Sequence, residues 1–330
     1  MLRYIAHRLL MAAVTIFFIT IITFVIIQLP PGDFADAYIA QLAASGSAVS
    51  AAEAENLRRE FGLDDPIFIQ YVKWIGKILV GNFGYSMEWR RPVWDILSDR
   101  LWLTLAVSVS ALLITWLIAI PVGIYSAVRK YSVGDYIFTF LGFIGLAVPN
   151  FLLALIMLYI GFRYFGTSVG GLFSPEYEQA PWSLAKVLDL LAHLVLPAFI
   201  LAMAGTAQLI RLMRANLLDE LRQPYVVTAR AKGLTAMRVL VKYPVRASLN
   251  PFVSSMAYVF PQLISGSIIV ALVLGLPTVG PVLLRALVAQ DMYLAGAIVL
   301  LLGVLTVIGT FISDLLLMWL DPRIRFQVTQ

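Results

Sequence analysis

Six stretches of this chain carry twenty or more mostly apolar residues with few charges between them. They are Leu9–Leu29, Leu101–Val128, Tyr136–Tyr164, Leu190–Ile210, Phe252–Leu274 and Ala295–Leu320. A helix needs about 20 such residues to cross the hydrocarbon core of a bilayer, so the pattern predicts six spanning helices. The first follows Arg3, His7 and Arg8 and ends in Gln28-Leu29-Pro30-Pro31-Gly32. It is longer than the apolar region of a signal peptide and lacks a small-residue cleavage site, which predicts a retained anchor. The second is too long for an upright span and must tilt or protrude. Pro149-Asn150 interrupts the third and predicts a kink, and Pro197 lies near the start of the fourth.

Between the first two spans the pattern changes. Residues 31–100 open with Ala43-Ala44-Ser45-Gly46-Ser47-Ala48, a loop by composition. Ala52–Glu60 predicts a short helix, and Gly62-Leu63-Asp64-Asp65-Pro66 a turn. From Pro66 to Val80, Ile69, Val72, Ile75 and Leu79 recur at helical spacing, with Tyr71 and Trp74 alongside. That periodicity predicts an amphipathic helix on the membrane surface or against the bundle. Gly81-Asn82-Phe83-Gly84-Tyr85-Ser86 predicts a tight turn, and a second loop, Phe165–Asp189, contains Gly170-Gly171.

Composition agrees with the span count. Of 330 residues, 61% are apolar and 13% charged, and mean hydropathy is +0.88. A soluble domain is about half apolar and a quarter charged. There is no cysteine, which removes disulfides, thiolate zinc sites and cysteine nucleophiles. The net charge of +5 is unevenly placed. Of the 24 Lys and Arg residues, 14 lie in the N-terminus, the Arg129–Asp135 and Arg211–Arg246 loops and the C-terminal tail, against four acidic residues. Positive loops face the cytoplasm, so both termini are expected there and residues 31–100 outside. The basic balance reports topology and does not call for nucleic acid, since no aromatic platform for bases accompanies it.

The 211–246 loop is the most informative. Pro224 suits the first position of a helix, and Tyr225-Val226-Val227-Thr228-Ala229-Arg230-Ala231-Lys232 follows it. Gly233 suits a left-handed stop. Thr235 is placed to cap a second helix running through Tyr243, with a bend at Pro244. Small residues at Ala229 and Ala231 would allow close approach by a partner. Chemistry alone leaves two readings open, a partner-binding elbow or a plain basic loop.

Thr228-Ala229-Arg230-Ala231-Lys232-Gly233-Leu234 resembles the cytoplasmic signature of binding-protein-dependent ABC importer permeases, and in particular that of the dipeptide/oligopeptide permease family. The general signature reads Glu-Ala-Ala, three residues, then Gly. Here Val227-Thr228-Ala229 and Gly233 hold those places, a departure similar to the peptide branch. Gly62-Leu63-Asp64 with Pro66, Gly81–Ser86, Leu196-Pro197-Ala198 and Asp321-Pro322-Arg323-Ile324-Arg325 look like further landmarks of the family in the same order. Asn82 stands where aspartate is more usual, Gly275-Leu276-Pro277 lacks an expected aromatic, and Pro244 is atypical.

The resemblance implies an all-α membrane protein with six transmembrane helices, both termini cytoplasmic, in an ABC type I importer permease-like bundle. It implies residues 1–30 as N-terminus and first span, 31–100 as a helical periplasmic insertion, and 101–330 as a five-helix core containing the 211–247 coupling region. Its partners would be a second homologous permease, two cytoplasmic ATPases and an extracytoplasmic solute-binding protein, with membrane lipid around it. Tyr225, Thr228, Ala229, Arg230, Ala231, Lys232, Gly233 and Leu234 would couple to one ATPase. The cargo implied is a peptide, with nickel or small saccharides as the alternative within the family. ATP and magnesium would sit on the partner ATPases and no cofactor on this chain. The location implied is the prokaryotic plasma membrane, which is the inner membrane where there are two.

The residues themselves add candidates and exclusions. Gly76-Lys77 is followed by Ile78, so no phosphate-binding loop is present, and no His-Glu-x-x-His occurs. No catalytic residue is assigned, and His7 and His193 read as capping or interface groups. Polar residues within the spans are Asn150, Gln208, Ser254, Ser255, Gln262, Ser265 and Ser267. They either line a translocation pathway or bond between helices. Asp314 is the acidic residue deep in the sixth span. A structural pairing is expected for it, whereas an ion-coupled carrier would want more such acids.

Overall fold

The computed structural model describes residues 2–28, 59, 65–86, 88–166, 170–254, 266–289 and 291–320. The apolar stretches among them are helices. In chain order these are α1 (Leu2–Gln28), α2 (Ile67–Leu79), α3 (Val93–Val128), α4 (Val133–Ala147), α5 (Asn150–Ile160) and α6 (Leu184–Glu220). Then come α7 (Pro224–Ala231), α8 (Ala236–Leu240), α9 (Arg246–Ser254), α10 (residues 266–273), α11 (Val279–Val288) and α12 (Met292–Leu320). A two-residue hairpin, β1 (Tyr85–Ser86) with β2 (Arg91–Pro92), precedes α3. Four helices among the described residues hold apolar runs long enough to cross a membrane, at Ile5–Val25, Val93–Val128, Leu184–Met203 and Tyr293–Trp319, and α4 with α5 and the π turn after it reach that length only as a pair bent by 98°. The fifth predicted span, Phe252–Leu274, is described only at its two ends. The predicted helix Ala52–Glu60 lies outside the described residues except for Arg59, as do most of the Gly62–Pro66 turn and the Asp321–Arg325 landmark.

Pro149 does more than kink the third span. The residue before proline is driven out of the helical region, and Val148 is extended (φ −88°, ψ 118°). Helix α4 stops there and α5 restarts at Asn150, 98° away. Ser132 starts α4 by accepting the Asp135 amide proton at 3.2 Å. Ser183 starts α6 in the same way through Lys186 at 3.3 Å. Both α3 and α6, at 36 and 37 residues, are about 55 Å long at ~1.5 Å per residue. They exceed any bilayer core, so each must project beyond it.

The chain packs as two units. In one, residues 9–103 and 278–307, α2 lies against α1 and α12: Trp74 is buried with Phe24 and Leu300, and Tyr71, Ile75 and Ile78 pack beside them. The sequence stripe is thereby corrected. Of its members Ile75 faces inward, while Ile69, Val72 and Leu79 are exposed. Tyr71 and Trp74 outcompete the aliphatic face because aromatic rings bury more area and can also satisfy a polar tip; the Tyr71 hydroxyl sits 2.8 Å from that of Thr20. The start of α3 packs with α11 and α12 through Val93, Ile96, Leu97, Leu294 and Ile298, all fully buried.

In the other unit α3, α6 and α9 share a core of Ala119, Leu209, Met213, Leu217, Val245 and Phe252. Gly123 lets α3 approach so closely that a Cβ there would lie 2.6 Å from Met213 Cβ. Small residues at such crossings are the usual means of helix association in lipid. The loop glycines Gly170-Gly171 meet the end of α10 backbone to backbone, with the Gly171 amide donating to the Leu274 carbonyl at 2.7 Å. Large apolar side chains such as Phe17, Leu113, Leu117 and Trp319 remain on the outside, as expected where lipid is the solvent.

Candidate functional site

The segment after α6 forms a folded elbow. Pro224 occupies the first turn of α7, as the sequence predicts, and Gln223 precedes it without a side-chain cap. Gly233 adopts φ +75°, and nothing lies within 4 Å of where its Cβ would be. The glycine is therefore required by backbone conformation and not by crowding. Lys232 and Gly233 amides close the turn onto Thr228 and Arg230 carbonyls at 3.1 and 2.9 Å. Thr235 precedes α8 but makes no side-chain cap. The expected helix through Tyr243 becomes α8 and a π turn, Val241–Val245, that takes up Pro244 and passes straight into α9. Inserting a wider turn frees the carbonyl that the proline ring would otherwise strike.

The elbow has its own core. Val226, Ala229 and Val239 are buried together, with Leu234 and Tyr243 packed on them. Ala229 thus corrects an expectation: its methyl is spent inside the elbow, and of the two alanines only Ala231 faces outward. Tyr225, Val227, Thr228, Arg230, Lys232 and Met237 are exposed around it, a mixed apolar and basic surface. The Tyr225 hydroxyl donates to the Glu220 carboxylate. Partial burial and then that carboxylate push the Tyr225 pKa up, so the proton stays in place at any physiological pH.

Both ends of the elbow are fixed. Three residues separate the end of α6 at Glu220 from Pro224, and α9 leaves the elbow to pack back on α6. A second fastening lies six residues before the end of α6. Arg214 grips Asp135 through Nε (3.1 Å) and Nη2 (2.9 Å), and the Tyr131 amide donates to the same carboxylate at 2.9 Å. The Asp135 side chain is 4% exposed. In the sequence both residues stand only as loop charge; the available signal is an acid standing alone among bases. Arg8 pairs with Asp314 at 3.0 Å, the structural pairing expected for that acid, though with a residue at the other end of the chain.

The pathway candidates are scattered. Asn150 begins α5 and is half-buried, Gln208 is exposed on α6, and Ser267 is buried. Ser254 is exposed and donates to the Asn250 carbonyl at 3.0 Å, within its own helix. Ser255, Gln262 and Ser265 lie outside the described residues. Among the described residues no group of three metal-ligating side chains gathers. His193 Nδ1 sits 2.8 Å from the Asp189 carbonyl one turn earlier, and His7 is exposed.

The Gly81–Ser86 landmark acquires a physical account. Gly84 (φ +86°) lies under the Tyr293 ring, where a Cβ would come within 2.6 Å of Cδ1. Ser86 donates to the buried Asp291 carboxylate at 2.6 Å, and Asp291 also accepts from the Glu88 and Leu294 amides at 3.3 and 3.2 Å. One carboxylate thus caps α12 and holds the hairpin. Asn82 accepts the Gly84 amide proton at 2.9 Å, a task its amide oxygen performs as well as the more usual aspartate would.

Comparison with known proteins agrees with this geometry. Residues 119–326 match the family described as "Binding-protein-dependent transport system inner membrane component", and residues 1–108 its N-terminal companion. The chain is 35% identical over 330 residues to the oligopeptide transport system permease protein AppB of Bacillus subtilis, covering 99% of this chain and all of that one. It is 31% identical over 342 residues to the dipeptide transport system permease protein DppB of Escherichia coli, covering 98% and 99%. In structure it resembles a chain of the inward-facing MetNI methionine ABC transporter, with TM-score 0.52, 18% identity, and coverage of 68% of this chain and 96% of that one.

Proposed function

The chain belongs to the family of binding-protein-dependent transport system inner membrane components, and we propose that it forms half of the translocation pathway of an ATP-driven importer of peptides. It is an ABC transporter permease subunit and a multi-pass protein of the plasma membrane. The chemistry of hydrolysis belongs to separate ATPases, to which this chain contributes a mechanical contact. The observation that carries this reading is the elbow: a short helix, a left-handed glycine and a second helix around a buried core, clamped at both ends to α6. A displacement applied at Tyr225–Leu234 would reach α6 through the short 221–223 turn and through α9, which packs back on it.

In the proposed assembly a second permease completes the bundle, two ATPases with ATP and magnesium lie beneath it, and a solute-binding protein delivers cargo from outside. Six apolar stretches support six spans, and the basic loops support cytoplasmic termini with residues 31–100 outside. Coupling requires a bundle with two arrangements and a contact that differs between them. Peptide cargo is proposed from the relatives' functions and from the Val227-Thr228-Ala229 form of the signature. Vesicles carrying the whole complex test this. Peptide uptake is expected to need internal ATP and to persist when an ionophore collapses the ion gradient. Uptake that follows the gradient without ATP would replace this reading with an ion-coupled carrier.

A further inference from the structure

A groove of about 340 Å³ runs between α3, α4 and α6, floored by Ala202, Met203 and Ala207 and rimmed by Leu141 and Ile144. Two glycines open it: a Cβ on Gly142 would touch Ala207 at 3.4 Å, and one on Gly145 would lie 3.3 Å from the Met203 carbonyl. The Thr206 hydroxyl is spent on the Ala202 carbonyl at 2.7 Å, so the lining is apolar throughout. At one end the groove narrows into a cleft that shares Phe138, Gly142, Ala207 and Ile210 and finishes at Thr139, Arg211 and Arg214. Arg214 is committed to Asp135. Arg211 is exposed, lies over the Phe143 ring at 5.7 Å, and has no carboxylate partner among the described residues.

From Phe199 to Arg211 the α6 axis rises about 18 Å at ~1.5 Å per residue, close to the ~15 Å of one leaflet's hydrocarbon. Over that length a helix ~10 Å across would need several times the 340 Å³ available. The groove's volume is about twice the ~150 Å³ that accepts benzene, on the order of a dozen carbons. An apolar slot of leaflet length with one unpaired cation at its end has the shape and charge of a single-chain amphiphile in negative. We propose that it holds one acyl chain of an anionic phospholipid, with the headgroup phosphate on Arg211 and Thr139. The orientation proposed above places this lipid in the inner leaflet, whose anionic surface attracts such cations.

The test uses the chain, with the subunits it carries, in nanodiscs of phosphatidylglycerol and phosphatidylethanolamine. A phosphatidylglycerol bearing a photoactivatable group on its acyl chain is expected to label residues 142–145 and Met203, as read by peptide mass spectrometry. Unlabelled phosphatidylglycerol should compete better than phosphatidylethanolamine. Arg211→Gln should cut the labelling about fivefold, the equivalent of the ~1 kcal/mol a surface cation contributes. Ile118→Trp should fill the groove and abolish labelling, with an unfolding midpoint in detergent matching wild type showing that this variant is folded. Equal labelling by both lipids with no effect of Arg211→Gln would mean bulk lipid contact and overturn the proposal. So would cross-linking of a photoreactive residue at position 141 to a second subunit in place of lipid. Neither ATP nor cargo enters the experiment, so the transport reading can fail without touching this one.

Discussion

At Gly233 a single backbone angle carries the argument. With φ at +75° and open space around the missing Cβ, a side chain there is penalised by conformation alone, by about 1–2 kcal/mol. Gly233→Asp is therefore expected to abolish peptide uptake while ATP hydrolysis by the complex continues. Gly233→Asn, the usual alternative to glycine at such a helix stop, should retain more uptake. Equal uptake by wild type and both variants would remove the elbow from the coupling path. Asp135 makes the opposite kind of demand, because its carboxylate is buried and depends on Arg214. Arg214→Gln should lower stability by about 2 kcal/mol, the modest end of the range for leaving a hydrogen-bonded charge unpaired, seen as a lower unfolding midpoint in detergent. The residue pattern could not announce this pair. The partners lie 79 positions apart, and nothing in either neighbourhood names the other.

Among the elements, Asp291 and the hairpin behave as one piece. Asp291→Ala removes an N-cap, at about 1 kcal/mol, and also strips Ser86 of its acceptor. Hydrogen exchange at Glu88 and Leu294 should accelerate together in this variant, whereas Asp291→Asn should change both less. Independent responses of the two amides would mean that the carboxylate does not join the elements. Elements were legible in the sequence where one force decides them. Apolar length gives the spanning parts of α1, α3, α6 and α12 but not the polar extension of α6 from Arg211 to Glu220, which reads as loop in the sequence and is helix in the structure; Pro224 with Gly233 gives the bounds of α7. They were illegible where forces compete. Helix α2 offers an aliphatic and an aromatic face, and only the presence of Phe24 and Leu300 selects the second. The break at Pro149 was visible, but its 98° angle depends on Val148 settling in the extended region.

For the whole molecule the orientation is the property to fix. The chain has no cysteine, so single-cysteine variants need no background removed. Lys232→Cys should react with an impermeant thiol reagent only in inside-out vesicles, and Glu178→Cys only in intact cells or right-side-out preparations. The reverse pattern would invert the topology and move the elbow away from any cytoplasmic ATPase.

The buried core of Val226, Ala229 and Val239 has a kinetic consequence. A docking segment that is already folded pays little ordering entropy when it meets its partner. Assembly of the importer is then limited by collision and orientation, not by a folding step on the partner's surface. In the proposed assembly Arg230 and Lys232 lie on the exposed side, so an encounter rate that falls as added salt screens them would mark an acidic docking face on the ATPase.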